Sequence, residues 1–219
     1  MYEVHAIRSD NRHLYEEALD QHFRIRNDIF IRERRWRALT SYDGREIDQF
    51  DHEDTIYLLG IDSDLGVVAG SRLLPTTRPT LLSGVFPQLA EIRGIPEGTD
   101  VYEWTRLFVV RAKRQDGRLC RWAGAVKCGM LEYCLQEGIH TFSGVAETYW
   151  MPRIIAMGWR PRALGLTLDH DGLSLCSFSV EVSEEVLAST RAFYGIEGPS
   201  LVIRGIELPQ GEEAPHVRH

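Results

Sequence analysis

The sequence predicts an α/β protein, because stretches rich in β-branched and aromatic residues alternate along its 219 residues with segments whose apolar residues recur at helical spacing. Two further observations bound the class. The chain is 43% apolar and 26% charged, an ordinary globular composition, and no apolar run approaches the length of a bilayer span. It is long enough to bury most of its apolar surface in one core, so a single domain over residues 1–219 is expected, with a loose end from 211 to 219.

The first helix is expected from Leu14 to Phe30, where Leu14, Leu19, Phe23, Ile25 and Phe30 fall at mixed helical spacings. Asp43-Gly44 signals a turn, and an acidic stretch from Glu46 to Asp54 follows it. Ile56 to Gly60 and Val67 to Leu74 read as strands joined around Ser63 and Gly66, with Pro75 and Pro79 ending the second. Val101 to Val110 is the clearest strand, dense in β-branched and aromatic residues. After a basic loop, Ala123 to Gln136 reads as a helix, and Gly138 stands where a left-handed terminus is needed. Ile139 to Val145 then reads as a strand and Tyr149 to Met157 as a helix stopped by Gly158. Leu173 to Val182 alternates as a strand, and Glu184 to Tyr194 is a helix with Ser183 as its N-cap.

The net charge of -7 argues against general affinity for nucleic acid, which depends on neutralising phosphates. The start, MYEVHAIRSDNRHLYEE, has no basic segment followed by an apolar secretion stretch, so a cytoplasmic protein is expected. Cys120, Cys128, Cys134 and Cys176 lack the close paired spacing of a zinc site and are few for a disulfide scaffold, so they read as reduced thiols and no metal is expected.

Three clusters carry chemistry. Between Arg24 and Arg37 six arginines are interleaved with Phe30 and Trp36. Most such arginines face water, but the density also suits an anionic partner, an acidic carrier protein or the phosphates of coenzyme A. In Glu46-Ile47-Asp48-Gln49-Phe50-Asp51 the acids at 48 and 51 share a face if the segment is a helical turn; the plainer account is an acidic loop balancing nearby arginines. In Glu103-Trp104-Thr105-Arg106 two charges sit inside an apolar strand, costly unless they are paired or reach a cleft. Strict alternation sends Glu103 and Arg106 to opposite faces, so a shared site needs a bulge or both sides of the strand; a buried pair with Arg72 or Arg26 is the alternative.

Ordinary acetyltransferases cradle the coenzyme A pyrophosphate with a Gln/Arg-x-x-Gly-x-Gly/Ala turn opening a helix. Arg114 to Gly117 and Arg121 to Gly124 each begin that turn, and each fails at its last position, where Leu119 and Val126 stand.

In order and spacing these clusters resemble the autoinducer synthase family, which makes acyl-homoserine lactones. Arg26, Phe30 and Trp36 match the family's Arg-x3-Phe-x5-Trp pattern, and Asp48 and Asp51 its Asp-x-x-Asp pair. Arg72 in RLLPTT, Phe86 in VFP, and Glu103 with Arg106 complete the match, with Thr105 in place of the usual Ser and keeping its hydroxyl. The likeness runs from about residue 24 to about residue 160.

The resemblance implies an acetyltransferase-like (GNAT) fold, a central mixed twisted sheet flanked by helices. It implies S-adenosylmethionine as substrate, an acyl thioester as donor, no tightly bound cofactor, and a quorum-sensing lactone as product. Coenzyme A is the expected carrier, with an acyl carrier protein docking on Arg24–Arg37 as the alternative. At the matching positions Glu103 becomes the base and Asp48 holds the amine. Trp36, Phe30, Arg106, Leu107 and Phe108 bind S-adenosylmethionine, whose sulfonium wants an aromatic face. Arg26, Asp51, Arg72 and Thr105 hold the network in place. The stretch Glu147-Thr148-Tyr149-Trp150 departs from the common family pattern and looks like the branch using branched or aryl acyl-CoA donors. Phe86, Glu147, Tyr149 and Trp150 would then form the acyl pocket, unless the two rings are simply helix core. A GNAT-type N-acetyltransferase acting on another amine, and a non-catalytic module binding an acidic partner, are the rival readings; a methyltransferase would want a Gly-rich turn that is missing.

Overall fold

A short strand, Val4–Ile7 (β1), leads into α1 (Glu16–Arg26), which continues as a π-helical stretch, Asn27–Glu33. A small hairpin, Ser41–Tyr42 (β2) and Arg45–Glu46 (β3), turns at Asp43 and Gly44, both at positive φ as a two-residue hairpin turn requires. Strands Ile56–Asp62 (β4) and Gly66–Pro75 (β5) form the long hairpin that the sequence predicts. There follow α2 (Leu81–Gly84), β6 (Val101–Val109), α3 (Arg121–Gln136), β7 (Thr141–Glu147) and α4 (Met151–Ala156). The chain ends in β8 (Arg162–Ala163), β9 (Leu168–His170), β10 (Leu173–Glu181), α5 (Glu184–Tyr194) and β11 (Leu201–Val202). This structure is a computed structural model, and it describes residues 2–114 and 119–204.

Nine strands make one mixed sheet in the order β11-β1-β4-β5-β6-β7-β10-β8, with β9 also paired to β10. One face carries Leu58, Leu73, Trp104, Phe142 and Phe178 against Val126, Met130 and Leu131 of α3, Leu187 of α5 and Ile154 of α4. On the other, Ile7, Tyr57, Leu59, Val67 and Phe108 pack beneath α1 and the π-helical stretch, while Leu82, Leu89 and Leu164 cover the β7–β10 end.

Local chemistry explains the helix ends. Ser183 accepts the Val186 N–H at 3.2 Å, and Gly195 ends α5 at φ 63. At the end of α3, Gly138 has φ 68 and the Ile139 N–H donates to Cys134 O at 2.8 Å, closing a Schellman turn. That turn consumes Ile139, and β7 begins at Thr141, two residues later than the spacing predicts.

The first helix differs from its expected span of Leu14 to Phe30. Leu14 lies in a 3₁₀ turn before α1, and beyond Asn27 the helix widens to i→i+5 bonding, with Arg34 N–H on Ile29 O at 2.8 Å. Asp48 to Asp51 is a turn rather than a helical turn, closed by the Asp51 N–H on Asp48 O at 3.0 Å. Strands β1, β8, β9 and β11 were not expected, because each is too short to show a period of its own. Of the expected features, most of Arg114 to Gly117 and the end from 211 to 219 lie outside the described residues.

Two irregularities of β6 open the middle of the sheet. The strand pairs in parallel with β7 only through Val101–Thr141, Tyr102–Phe142 and Glu103–Ser143, after which both strands run on unpaired with each other. Against β5, the pairs Arg72–Thr105 and Gly70–Phe108 leave β6 one residue longer, and Arg106 sits in that bulge at φ 56.

Candidate active site

Where β6 and β7 part, a cleft of about 720 Å³, counted out to its open mouth, is lined by Trp104, Thr105, Arg106 and Leu107 from one strand and Gly144 to Glu147 from the other. Phe30, Arg34 and Trp36 stand at one side. Lys127, Trp150, Arg153, Ile154, Met157 and Phe178 complete the wall.

Beside the cleft three arginines and three carboxylates close a ring of alternating charge. Arg26 binds Asp51 through two bonds of 2.8 Å and Glu46 at 2.5 Å; Arg106 binds Glu46 at 3.0 Å and Asp48 at 2.7 Å; Arg72 binds Asp48 at 2.7 Å and Asp51 at 2.9 Å. Arg72 also donates to Thr105 Oγ1 at 3.0 Å, and Tyr57 Oη to Asp51 at 3.0 Å. A buried charge is tolerable only when paired this completely. Burial alone would raise the carboxyls of Glu46 and Asp51, but the flanking guanidiniums outweigh it and hold both below the usual carboxylate range. Burial likewise opposes the Arg26 charge, and Asp51 and Glu46 more than restore it. Of the three acids only Asp48 reaches the surface, with its side chain 15% exposed against 1% for Glu46 and Asp51. Asp48 is therefore the member of the ring able to meet a ligand amine.

The bulge is what makes this site. It turns Arg106 to the face that already carries Glu103 and Thr105, so both charges of the strand share one side, as alternation alone forbids. Trp36 lines the cleft, stacked on Phe30 with centroids 4.9 Å apart, and the Arg34 and Arg106 guanidiniums lie 5.6 and 5.8 Å from its ring. That ring thus already faces cations.

Glu103 joins the cluster from behind. It is fully buried and is absent from the cleft wall; its Oε2 accepts the Leu82 N–H at 2.9 Å, at the start of α2, and its Oε1 has no partner among the described residues. Burial pushes its pKa up, against the pull of Thr80, Leu82 and Arg72. The alternative of a buried Glu103 pair with Arg72 or Arg26 is not what forms: those arginines bind Asp48, Asp51 and Glu46.

Asp48, Asp51, Arg26, Arg72 and Glu103 flank the cleft without lining it, and three further expected site residues lie outside both the cleft wall and the ring. Phe108 falls one step past the bulge, so it packs into the core beneath α1 while Leu107 faces the cleft. Phe86 packs beside Leu82 and Leu89, with its ring edge-on to His170 at 5.1 Å. Tyr149 is 63% exposed, because the tight 3₁₀ turn Thr148–Trp150 sends Trp150 inward and its neighbour out. Glu147 and Trp150 do line the cleft, and Glu147 meets Arg34 at 3.5 Å. The arginine patch divides: Arg26 enters the ring, Arg24 and Arg32 pair with Asp20 and Asp28 on their own helical turns, and Arg34 faces the cleft.

Sequence reasoning missed Glu46, Arg34, Trp104 and Lys127 as site residues. Glu46 is one acid among several and carries no local signal. Lys127 had one: it interrupts the apolar stripe of Ala123, Met130 and Cys134 on α3. Gly124, considered for a phosphate turn, serves packing instead, since a Cβ there would stand 2.5 Å from Tyr194.

The family of autoinducer synthases matches residues 10–188. The isovaleryl-homoserine lactone synthase of Bradyrhizobium diazoefficiens is 43% identical over 184 residues, 84% of this chain and 82% of that protein. The CoA-dependent acyl-homoserine lactone synthase BjaI, solved with SAM and isopentyl-CoA, superimposes with a TM-score of 0.87 at 39% identity, covering 95% of this chain and 96% of that one. An acyl-CoA N-acyltransferase from Pseudomonas aeruginosa superimposes with a TM-score of 0.52 at 14% identity, over 84% of this chain and 100% of that one, a likeness of fold alone. The acetyltransferase-like fold, with its mixed central sheet flanked by helices, is thus the one the resemblance implied. With the ring of charges and the splayed cleft in place, the chain belongs to the autoinducer synthase family, the acyltransferases that make acyl-homoserine lactones.

Proposed function

We propose that this chain joins the amine of S-adenosylmethionine to the acyl group of an acyl-CoA, and that the product closes to an acyl-homoserine lactone with loss of 5'-methylthioadenosine. The observation that carries this reading is the junction at Arg106, which borders the cleft, binds Asp48 at 2.7 Å and lies 5.8 Å from the Trp36 ring. A cationic sulfonium with a free amine needs an aromatic face and a carboxylate, and both converge there. Asp48 holds the amine, Trp36 and Phe30 meet the sulfonium, and Arg26, Asp51, Arg72 and Thr105 keep Asp48 in place.

The amine must lose a proton before its nitrogen attacks the thioester carbonyl. Glu103 serves as the base through a bridging water, its buried raised-pKa carboxyl being suited to taking up a proton. The C–S bond of the thioester then breaks and the thiol leaves with a proton. In the second step the methionine carboxylate oxygen attacks the carbon next to sulfur, the C–S bond breaks, and methylthioadenosine departs. That step is unimolecular and needs positioning more than acid or base.

Coenzyme A is the carrier this reading takes, since the relative BjaI was solved with isopentyl-CoA. Arg24, Arg32, Arg35 and Arg37 are all exposed, so a carrier protein enters the test as the competing donor. Trp150 and Trp104 crowd the cleft, which suits a branched or aryl acyl group rather than a long straight chain. The test is to supply isovaleryl, cinnamoyl and straight-chain donors on both carriers and to measure methylthioadenosine and the lactone by mass spectrometry. Lactone from isovaleryl- or cinnamoyl-CoA is expected. Acetylation of an unrelated amine without methylthioadenosine would sink the reading.

A further inference from the structure

A helix of a single turn orients Glu103. Its Oε2 accepts the Leu82 N–H at 2.9 Å, which leaves Oε1, buried and without a partner among the described residues, as the oxygen free to take a proton. The Leu82 N–H is one of the donors that a helix start leaves unpaired, so it points at Glu103 only while α2 keeps its shape. Four residues are too few to keep that shape by backbone bonding alone.

A capping box supplies what the backbone lacks. Thr80 Oγ1 accepts the Ser83 N–H at 3.4 Å, and Ser83 Oγ accepts the Thr80 N–H at 2.8 Å. Thr80 is only 2% exposed, and Leu82 is anchored among Leu89, Leu164 and Leu175. The other end of the turn reaches the second acid of the site. A Cβ on Gly84 would stand 3.6 Å from the Phe50 ring, and the Phe50 N–H donates to Asp48 Oδ1 at 2.9 Å. Of the elements against Glu103, α2 has no titratable side chain, β7 sets Ser143 beside it, and β5 brings Arg72, whose guanidinium is taken by Asp48, Asp51 and Thr105. Burial raises the Glu103 pKa, and the strongest opposition comes from Thr80, then from the Leu82 N–H.

We propose that Thr80 is a positioning residue for the base: by capping α2 it keeps the Leu82 N–H on Oε2, so that Oε1 is the oxygen that receives a proton when the S-adenosylmethionine amine is activated. This rests on the reading of Glu103 as that base. The amine passes a proton to the bridging water as the water gives one of its own to Oε1, and the freed nitrogen lone pair bonds to the thioester carbonyl carbon. Thr80 does not line the cleft and acts through Glu103.

The experiment measures kcat, KM for S-adenosylmethionine and the acidic limb of the pH–rate profile in the full-length protein and in Thr80→Val, Thr80→Ser, Ser83→Ala and Glu103→Gln. Thr80→Val keeps the branched shape and removes the cap. Its limb is expected to move up by about one to two pH units, the worth of a hydrogen bond to a charged group, so that kcat on the limb falls by about ten- to a hundredfold. KM for S-adenosylmethionine stays at the wild-type value. Thr80→Ser restores the wild-type limb, and Ser83→Ala, which removes half of the box, moves it less than Thr80→Val does. An unmoved limb in Thr80→Val would overturn the proposal, and so would an equal shift in Thr80→Ser, since packing rather than the hydroxyl would then be at work. Should Thr80→Val not fold, Ser83→Ala decides, and an unmoved limb there overturns the proposal. In Glu103→Gln the limb disappears. A limb that persists in that variant would sink the reading of Glu103 as base and this proposal with it, whereas a limb lost there but unmoved in Thr80→Val would fail the positioning role alone.

Discussion

Asp48 and Glu103 divide the acidic work of the proposed site by their surroundings. Asp48 lies between two guanidiniums at the surface, whereas Glu103 is sealed beneath the start of α2, its Oε1 without a partner among the described residues. Glu103→Gln keeps an acceptor for the Leu82 N–H, so kcat is expected to fall by about 10²–10⁴, the usual worth of a general base, with no loss in Tm. Undiminished turnover in the purified variant would remove Glu103 as the base. Because burial raises the Glu103 pKa and the base must be ionised, kcat is expected to fall as pH drops through a value above 4.5, and a pH–rate profile reads that limb directly. Trp36→Ala removes one cation–π face worth about 0.5–2 kcal/mol, so KM for S-adenosylmethionine should rise by roughly 2- to 30-fold with kcat changed less. Steady-state kinetics with a saturating donor separates the two.

At the level of elements, the site depends on departures from regularity. An unbulged β6 would send Arg106 away from Asp48, and a β7 paired along its whole length would leave no cleft. The π-helical stretch and the bend after it return Trp36 over Phe30, the Trp36 N–H donating to Phe30 O at 3.0 Å. Behind the sheet, α3 is held close to α5 because Gly124 has no side chain to meet Tyr194. In Gly124→Ala the new methyl meets the Cβ and Cγ of Tyr194, atoms that cannot swing aside without moving α5. An overpacking cost of about 1–3 kcal/mol is expected, seen as a Tm lower by roughly 2–10 °C. An unchanged Tm would mean that the two helices separate freely.

Across the whole molecule, the ring of charges ties together four stretches far apart in sequence: α1, the segment from Glu46 to Asp51, β5 and β6. Its acids make stability depend on pH. Glu46 and Asp51 titrate lower in the folded chain than when unfolded, so their contribution is complete above the ordinary carboxylate range and is lost as pH falls below it. His22 adds to this from a higher pH. It is completely buried, and burial followed by the nearby Arg26 holds its pKa well below 6.5, so the unfolded chain takes up a proton that the folded one refuses once pH drops through about 6.5. Thermal melts across pH should therefore show Tm declining from about 6.5 and more steeply below about 4.5. Asp51→Asn should cost about 3–5 kcal/mol at neutral pH, because it leaves Arg26 and Arg72 underpaired in the interior. A Tm equal to that of the wild type would show that the ring contributes nothing net.

The sequence by itself determined the alternation of elements, because β4 to β7, α3, β10 and α5 each carry their period, turn residue or cap within their own length. Through its resemblance to the autoinducer synthases it also singled out Trp36, Asp48, Asp51, Arg26, Arg72, Thr105 and Arg106, which the fold brings together. Only the tertiary structure decided which acid completes the ring, that Phe86, Phe108 and Tyr149 stand outside the cleft, and that Lys127 points into it. The physical reason is that periodicity and caps are local, whereas a bulge and a splay are set by the register between strands more than thirty residues apart. A carboxylate becomes a partner or a base only once the fold has settled how much water, and which guanidinium, it keeps.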